Sequence, residues 1–384
     1  MAAHSAQGPH LGVPQMVQSR AQFGVIGAGL PLVAVVLTYT LYIAANGLLV
    51  EAPLGQLLGL GPAEALLLFG AATLLIAFVG YELIHRMGAI LAVVSGLLFL
   101  VAAVRIAGVP AAPAAASPHG DFAGPMFMLA LTQAAAWTLS FGPYVADYSR
   151  YLPDTVRTRS TFWATGLGCF LGSTLIMALG VLIGRHFPTR TEDPAGAVVD
   201  IIGHWQPLVQ WLIVIGVLEG NVMNVYSAYM SSATIFSGLR QMQRIGKPVK
   251  FGVMAALIAL ATLVALLAQN AIETYLGDIL NVMIYLLAPW SAINLADYYL
   301  VRRGRYCIPD LFRRDGQYGS LRWHTIAIYL AAVAVQAPFM SLSFFKGAVA
   351  ERIGADLAWL PGLLVPGLLY IVVERRVLAA HARA

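Results

Sequence analysis

The sequence predicts an all-α integral membrane protein, and three observations carry that prediction. Mean hydropathy over the 384 residues is +0.76. Charged residues make up 11% of the chain, against roughly 25% in soluble domains. The apolar residues also fall into ten runs, at 22–49, 63–80, 87–107, 126–146, 161–184, 207–236, 251–269, 277–297, 323–344 and 357–373. Each is near or above the roughly 17–25 residues that cross a hydrocarbon core as a helix.

Taken in order, residues 1–21 read as a cytoplasmic N-terminal segment, because Met1 to Gly12 is small and polar and lacks the basic and apolar regions of a signal peptide. Residues 22–373 form the transmembrane domain of ten helices, and 374–384 a cytoplasmic tail. The orientation comes from the 23 Lys and Arg residues. Alternate loops hold most of them, with Arg105, Arg185, Arg190, Lys346 and Arg352 on the opposite side. Cytoplasmic loops carry the excess of positive charge, so both termini are expected on that side of the cell membrane. The Pro113–Pro118 stretch reads as an external loop.

The same arginines account for the net charge of +5 without invoking nucleic acid. Cys169 and Cys307 form no disulfide framework, and no His or Cys spacing suits a metal. No cofactor motif is present. Gly168-x-x-x-Gly172 reads as helix packing, since no βαβ context surrounds it. An enzyme would need a nucleophile beside a base, and no span interior offers one. The partners expected are a small molecule and the lipid bilayer, with no obligate protein partner inferred.

The fourth run contains Trp137-Thr-Leu-Ser-Phe-Gly-Pro-Tyr144. Proline removes a backbone donor and clashes with the preceding turn. In lipid such a break survives only where protein or a watery cavity satisfies the freed groups. A large aromatic before it therefore suggests a ligand chamber and a carrier. Gln133, Trp137, Ser140 and Tyr144 share one helical face. Thr38, Tyr42 and Asn46 share another, and Asn221, Asn224, Ser227 and Ser231 a third. Such stripes suit a planar heterocycle, with ring faces to stack on and amides for its edge, or they bond helix to helix. Glu219 is the one acidic residue well inside a span. An unpaired charge there costs several kcal/mol, so it is the candidate for ion coupling, weighed against a neutral structural acid. It sits about 100° around the helix from the asparagine stripe.

Gln18-Ser-Arg-Ala-Gln-Phe-Gly24, Ala146-Asp-Tyr-Ser-Arg-Tyr-Leu-Pro153, Pro289-Trp-Ser-Ala-Ile-Asn-Leu-Ala-Asp-Tyr298, Arg303-Gly-Arg-Tyr306 and Gly316-Gln-Tyr-Gly319 together resemble the purine–cytosine permeases of nucleobase:cation symporter family 1. That resemblance implies a leucine-transporter-like inverted-repeat fold, whose ligand sits at the midplane near broken helices. It implies uptake of a purine, cytosine or allantoin-like heterocycle with H⁺ or Na⁺, by alternating access. It also implies that Tyr42, Asn46, Trp137 and Asn224 contact substrate, and the stripes add Gln133, Ser140, Asn221 and Ser227. The family's sodium-site positions on helix eight correspond to Glu219 and Gly220, a departure that leaves H⁺ and Na⁺ both open. The motif order makes the ten visible spans the family's helices three to twelve, so a truncated chain with weak or no transport is expected. An amino-acid-type carrier of the same fold, or a non-transporting truncated paralogue, is the alternative.

Overall fold

A computed structural model describes residues 1–79, 81–110, 124–188, 194–241 and 245–381. The Pro113–Pro118 loop lies outside the described residues. Fifteen α-helices occur among them: α1 (Ala2–Ser5), α2 (Gly8–Leu11), α3 (Gln15–Phe23), α4 (Gly29–Leu58), α5 (Pro62–Val79), α6 (Tyr81–Ala107), α7 (Gly124–Ser140), α8 (Val145–Ser149), α9 (Thr158–His186), α10 (Pro194–Ile202), α11 (Gln206–Arg240), α12 (Lys247–Ala296), α13 (Trp323–Gln336), α14 (Ala348–Ile353) and α15 (Trp359–His381). The one departure from an all-helical fold is a two-stranded antiparallel hairpin, β1 (Ser341–Leu342) with β2 (Phe345–Lys346).

Seven helical segments among the described residues are long and apolar enough to cross a membrane. Three of the ten expected runs fall outside that set: α7 with its break, α13 and α15. The core is built where α4 packs against α11 and α12, with α15 on the far side of α12. Leu32, Val35, Tyr39, Leu287, Trp290 and Ile293 are fully buried there. By contrast, α6 and α9 leave Leu97, Val104, Phe170, Leu175 and Val181 bare, as expected of helices whose outer face meets lipid.

Three boundaries differ from the sequence reading. The runs at 251–269 and 277–297 join into the single helix α12, because no Gly or Pro falls between Gly252 and Gly277 to stop it. Pro289 lies inside α12 and removes the donor that would bond the Tyr285 carbonyl. That carbonyl accepts instead from Gln336 Nε2 at 2.9 Å, and the Leu286 carbonyl accepts from the Tyr329 hydroxyl at 3.1 Å. Residues 1–21 are no free-standing tail. They fold as α1, α2 and most of α3, with His4, Ser5, Gln7, Gln15, Gln18 and Arg20 all buried. Residues 374–381 continue α15, and Glu374 is fully buried.

The five motifs meet around α3. Asp147 Oδ1 accepts the Gln15 backbone N–H at 2.8 Å, capping the helix start with a carboxylate. Trp290 Nε1 donates to Ser19 Oγ at 2.8 Å. Gln22 Nε2 donates to Asp297 Oδ2 at 2.7 Å, and Tyr306 donates to the same oxygen at 2.6 Å. Gly24 ends α3 at φ +87°, and a Cβ there would lie 2.6 Å from the Ser320 carbonyl. Glycine is required on both counts. The chain then runs beside Gly319 and Ser320, whose carbonyls take the Val25 and Ile26 N–H groups at 3.0 and 2.9 Å. Arg20 has no carboxylate partner among the described residues. It caps α11 through the Thr234 carbonyl (2.7 Å) and Ser237 Oγ (2.6 Å), and reaches the Leu311 carbonyl at 3.0 Å. Burial lowers its pKa to about 10, so it stays charged at neutral pH.

Beside this hub, Glu374 bonds Arg302 at 2.9 Å, Arg322 at 2.5 Å and His324 at 2.9 Å. Arg302 also pairs with Asp297 at 3.1 Å. Burial alone would raise the Glu374 pKa, but the His324 hydrogen bond and the two guanidiniums outweigh it and hold the carboxyl below its ordinary value. A depressed carboxylate pKa stabilises the fold above the unfolded value and loses that contribution as pH falls through the folded one. Glu374→Ala leaves the nearly buried Arg322 without its carboxylate and Arg302 with Asp297 alone, and should cost about 3–5 kcal/mol. A lower thermal midpoint of the purified protein in detergent at neutral pH checks this. An unchanged midpoint would mean the cluster is dispensable.

Candidate substrate chamber

The break expected at Gly142-Pro143 is present. α7 stops at Ser140, residues 141–144 form a turn, and α8 starts at Val145. With no N–H at Pro143, the Leu139 carbonyl is taken by Gly142 N at 3.0 Å. The Ser140 carbonyl, which a continuous helix would pair with Tyr144 N, accepts from the Tyr39 hydroxyl at 3.3 Å. Ser140 Oγ donates to the Trp137 carbonyl at 2.7 Å. Gly142 tucks beneath a stacked pair, His4 on Trp290, whose centroids are 5.1 Å apart at 11°. A Cβ at Gly142 would come within 3.4 Å of His4 and 3.6 Å of Trp290.

The break also sets a run of rings in contact. Trp137 meets Phe141 edge to face at 4.7 Å, Phe141 meets Tyr144 at 5.2 Å, and Tyr144 meets Tyr148 at 6.0 Å. Tyr148 lies 6.3 Å from Tyr226, and Tyr39 packs 5.2 Å from Tyr144. Phe141, Tyr144 and Tyr148 form one wall of a cavity of about 720 Å³, within the roughly 300–1,000 Å³ usual for small-molecule sites. The opposite walls are Gly88, Ala92 and Ser95 of α6, Thr161, Thr165 and Cys169 of α9, and Gly216, Glu219 and Met223 of α11, with Met1 and Ser5 at the N-terminus closing the rest. Glu219 is the one charged side chain among them. A Cβ on Gly88 would lie 2.8 Å from its Oε1, so glycine there makes room for the carboxyl.

Glu219, expected to couple the ion, reaches this cavity, and the eight residues expected to bind substrate stand behind or beside its walls. Tyr42 is half-buried against the same core cluster as Phe141, Tyr144, Tyr148 and Met223, and its hydroxyl finds no well-formed hydrogen bond. Ser227 is buried with its hydroxyl likewise unpaired, and Asn224 is buried one residue beyond Met223. Asn46 and Asn221 bond each other at 3.4 Å, and Asn221 donates on to Thr73 of α5 at 3.2 Å. Their chain stitches α4, α11 and α5 together. Gln133 is exposed and Trp137 is 39% exposed, one ring removed from the cavity. Ser140 is spent on the break itself. Tyr148, Thr161, Thr165, Cys169 and Ser95 escaped the sequence reading. Tyr148 had a signal, since aromatics recur at 137, 141, 144 and 148. The small and hydroxyl residues of α6 and α9 had none.

The match to known proteins follows this geometry. A family model described as permease for cytosine/purines, uracil, thiamine, allantoin matches residues 1–361. The chain belongs to this permease family. It is 36% identical to the putative purine-cytosine permease YxlA of Bacillus subtilis over 377 residues, which cover 98% of this chain and 82% of that protein. It is 25% identical over 276 residues to the purine-cytosine permease fcyB of Emericella nidulans, covering 65% of this chain and 51% of that one. Among solved structures, Mhp1, a nucleobase-cation-symport-1 family transporter closed around bromovinylhydantoin, superposes with a TM-score of 0.68 at 19% identity, over 99% of this chain and 83% of that one. The leucine-transporter-like fold and the multi-pass membrane location agree with the motifs, and the relatives named are permeases rather than enzymes. Permeases of this family carry solutes, and this chain is a transporter of that kind.

Asn221→Leu separates glue from ligand contact. It should lower stability by roughly 0.6–1.7 kcal/mol, the span of interhelical hydrogen bonds in membranes, while leaving the KM of uptake within about twofold. Thermal melting and initial-rate uptake check the two halves.

Proposed function

We propose that this permease takes up a nucleobase or related planar heterocycle by alternating access, driven by H⁺ or Na⁺, with its chamber at the helix break and Glu219 as the ion-coupling residue. The observation that carries the reading is the aromatic wall Phe141–Tyr144–Tyr148 facing a carboxyl across one cavity. Flat rings stack on aromatic faces, and a polar ring edge needs hydrogen-bonding groups opposite. Tyr42, Asn224 and Ser227, close behind this wall, would come into use as the chamber closes. An amino-acid substrate fits less well, because its carboxylate would meet Glu219 in a lining whose one cationic group, among the described residues, is the Met1 amino group.

Both termini are assigned to the cytoplasm. The support is that Arg20, Arg302, Arg314, Arg322 and Arg375 gather at one end of the molecule, bonded to the ends of α11, α12 and α15. Positive charge favours that side.

The test is uptake of radiolabelled cytosine and adenine into a transport-deficient host, with proton and sodium gradients imposed separately. Saturable uptake driven by one gradient is the expected result, and accumulation of neither base rejects the reading. Tyr144→Ala removes a stacking face and should raise KM about tenfold. Glu219→Gln should flatten the dependence on the driving ion. Equal ion dependence in that variant would remove Glu219 from coupling.

A further inference from the structure

A second hollow, of about 370 Å³, lies at the arginine-rich end of the molecule, where α9 begins and α12 gives way to the turn holding Tyr299. Its walls are Ala3, Thr158, Arg159, Phe162 and Tyr299. The polar atoms of those walls are spent on each other and on a neighbour. Thr158 Oγ1 and His10 Nε2 bond at 2.8 Å, and the Tyr299 hydroxyl donates to the Ala3 carbonyl at 2.7 Å. Two rings, a methyl group and the arginine stem are left to face the space, so it is apolar. Its rim is cationic. Arg159 and nearby Arg157 are exposed and make no ion pair or side-chain hydrogen bond among the described residues. Asp154, the acidic residue of the same loop, pairs with neither. Arg303 and Arg305, in the turn after Tyr299, are likewise exposed and without a side-chain partner among the described residues. Tyr151, Leu152 and Trp163 stand exposed close by in the chain, and Leu167, Phe170 and Leu171 continue a bare face along α9. Aromatic side chains collect at the membrane–water boundary, which puts the hollow at headgroup depth.

We propose that this hollow binds an anionic phospholipid, with its phosphate on the Arg159 guanidinium and the first carbons of one acyl chain between Phe162 and Tyr299. The two halves of such a lipid match the two halves of the site. An apolar hollow left open to water is unfavourable in proportion to its area, and a hydrated headgroup alone does not cover it. An acyl chain does. The guanidinium presents a planar fork of N–H donors that fits two phosphate oxygens at once, and Arg159 has no carboxylate to give up first. A zwitterionic lipid carries its own cation beside its phosphate and would set that cation against Arg157 and Arg159. An anionic lipid brings none, so the charge of the rim selects it. The site also joins two parts of the molecule. Arg159 and Phe162 open α9, which walls the substrate chamber, whereas Tyr299 closes α12. One bound lipid touches both. The identity of the transported solute does not enter, because binding alone reads the proposal out.

The experiment is native mass spectrometry of the full chain in detergent, titrated with phosphatidylglycerol or with phosphatidylcholine of identical chains. Wild type should hold its first phosphatidylglycerol at least about fivefold more tightly than phosphatidylcholine, the effect of one basic residue at an anionic surface. Arg159→Gln should bring that ratio close to one at an unchanged melting midpoint. Arg157→Gln removes the same charge from a position outside the lining and should keep most of the preference. Ala3→Phe fills the hollow and should weaken both lipids; if that variant does not fold, the two arginine variants carry the test. Equal retention of the two lipids by wild type would overturn the proposal. So would a preference that survives Arg159→Gln, or one that Arg157→Gln abolishes equally, since either means diffuse attraction to the basic face. Displacement of the lipid by glycerol 3-phosphate at similar concentration would show that the acyl chain is not seated, and a dimer broken by Ala3→Phe would show a second copy in its place. Either result would reject the site as drawn.

Discussion

The break between α7 and α8 is the constraint on which the chamber depends. A proline inside lipid strands backbone carbonyls, and each unsatisfied group costs several kcal/mol. Here the neighbours answer locally. Gly142 N takes the Leu139 carbonyl, Tyr39 takes that of Ser140, and Ser140 turns its own hydroxyl back onto Trp137. The break is thus held open by α4, and the chain leaving it is re-aimed so that Tyr144 and Tyr148 face α6, α9 and α11. Pro289 in α12 is accommodated the same way by Gln336 and Tyr329. Both prolines lie close in sequence to motif residues that bind α3, so backbone satisfaction and the hub are one construction.

The sequence disclosed this in part, for physical reasons that differ by residue. Hydropathy marked the spans because lipid demands a continuous apolar run. Gly142-Pro143 marked the break because proline lacks the helix donor and clashes with the preceding turn, and glycine beside it weakens the helix further. The motifs marked the family, yet their side chains are spent on packing: Asp147 caps α3, Trp290 bonds Ser19, and Asp297 gathers Gln22, Tyr306 and Tyr370. Polar residues at helical spacing were ambiguous from the start, since an amide stripe serves a ligand or a neighbouring helix equally well. Asn46 and Asn221 serve the helix. Glu219, off that stripe by one step around α11, faces the cavity. Thr161, Thr165 and Cys169 carry no signal, because a small or hydroxyl residue costs little anywhere on a membrane helix.

Transport asks two things of such an arrangement. The bundle holding α3, α12 and α15 is knit by buried ion pairs and capped helix ends, and it suits a rigid frame. The cavity wall on α6 and α9 is built of small and hydroxyl residues, with bare apolar outer faces, and suits the part that moves. The alternating access proposed above, with one bundle rocking against another around a fixed site, is compatible with that contrast. The carboxyl of Glu219 sits on α11, which packs against both α12 of the frame and α6 of the wall, where a change of charge or ligand would bias the two arrangements.

Occupancy of the chamber is the central claim, and Cys169 offers a direct reporter. Its thiol lines the cavity, while Cys307, the other free cysteine, is exposed elsewhere. In a Cys307→Ser background, the rate of Cys169 alkylation by a small maleimide should fall severalfold when saturating cytosine or adenine is added, and should be unaffected by an amino acid such as leucine. Alkylation at the same rate with and without base, in protein shown to bind that base, would place the substrate somewhere other than this cavity.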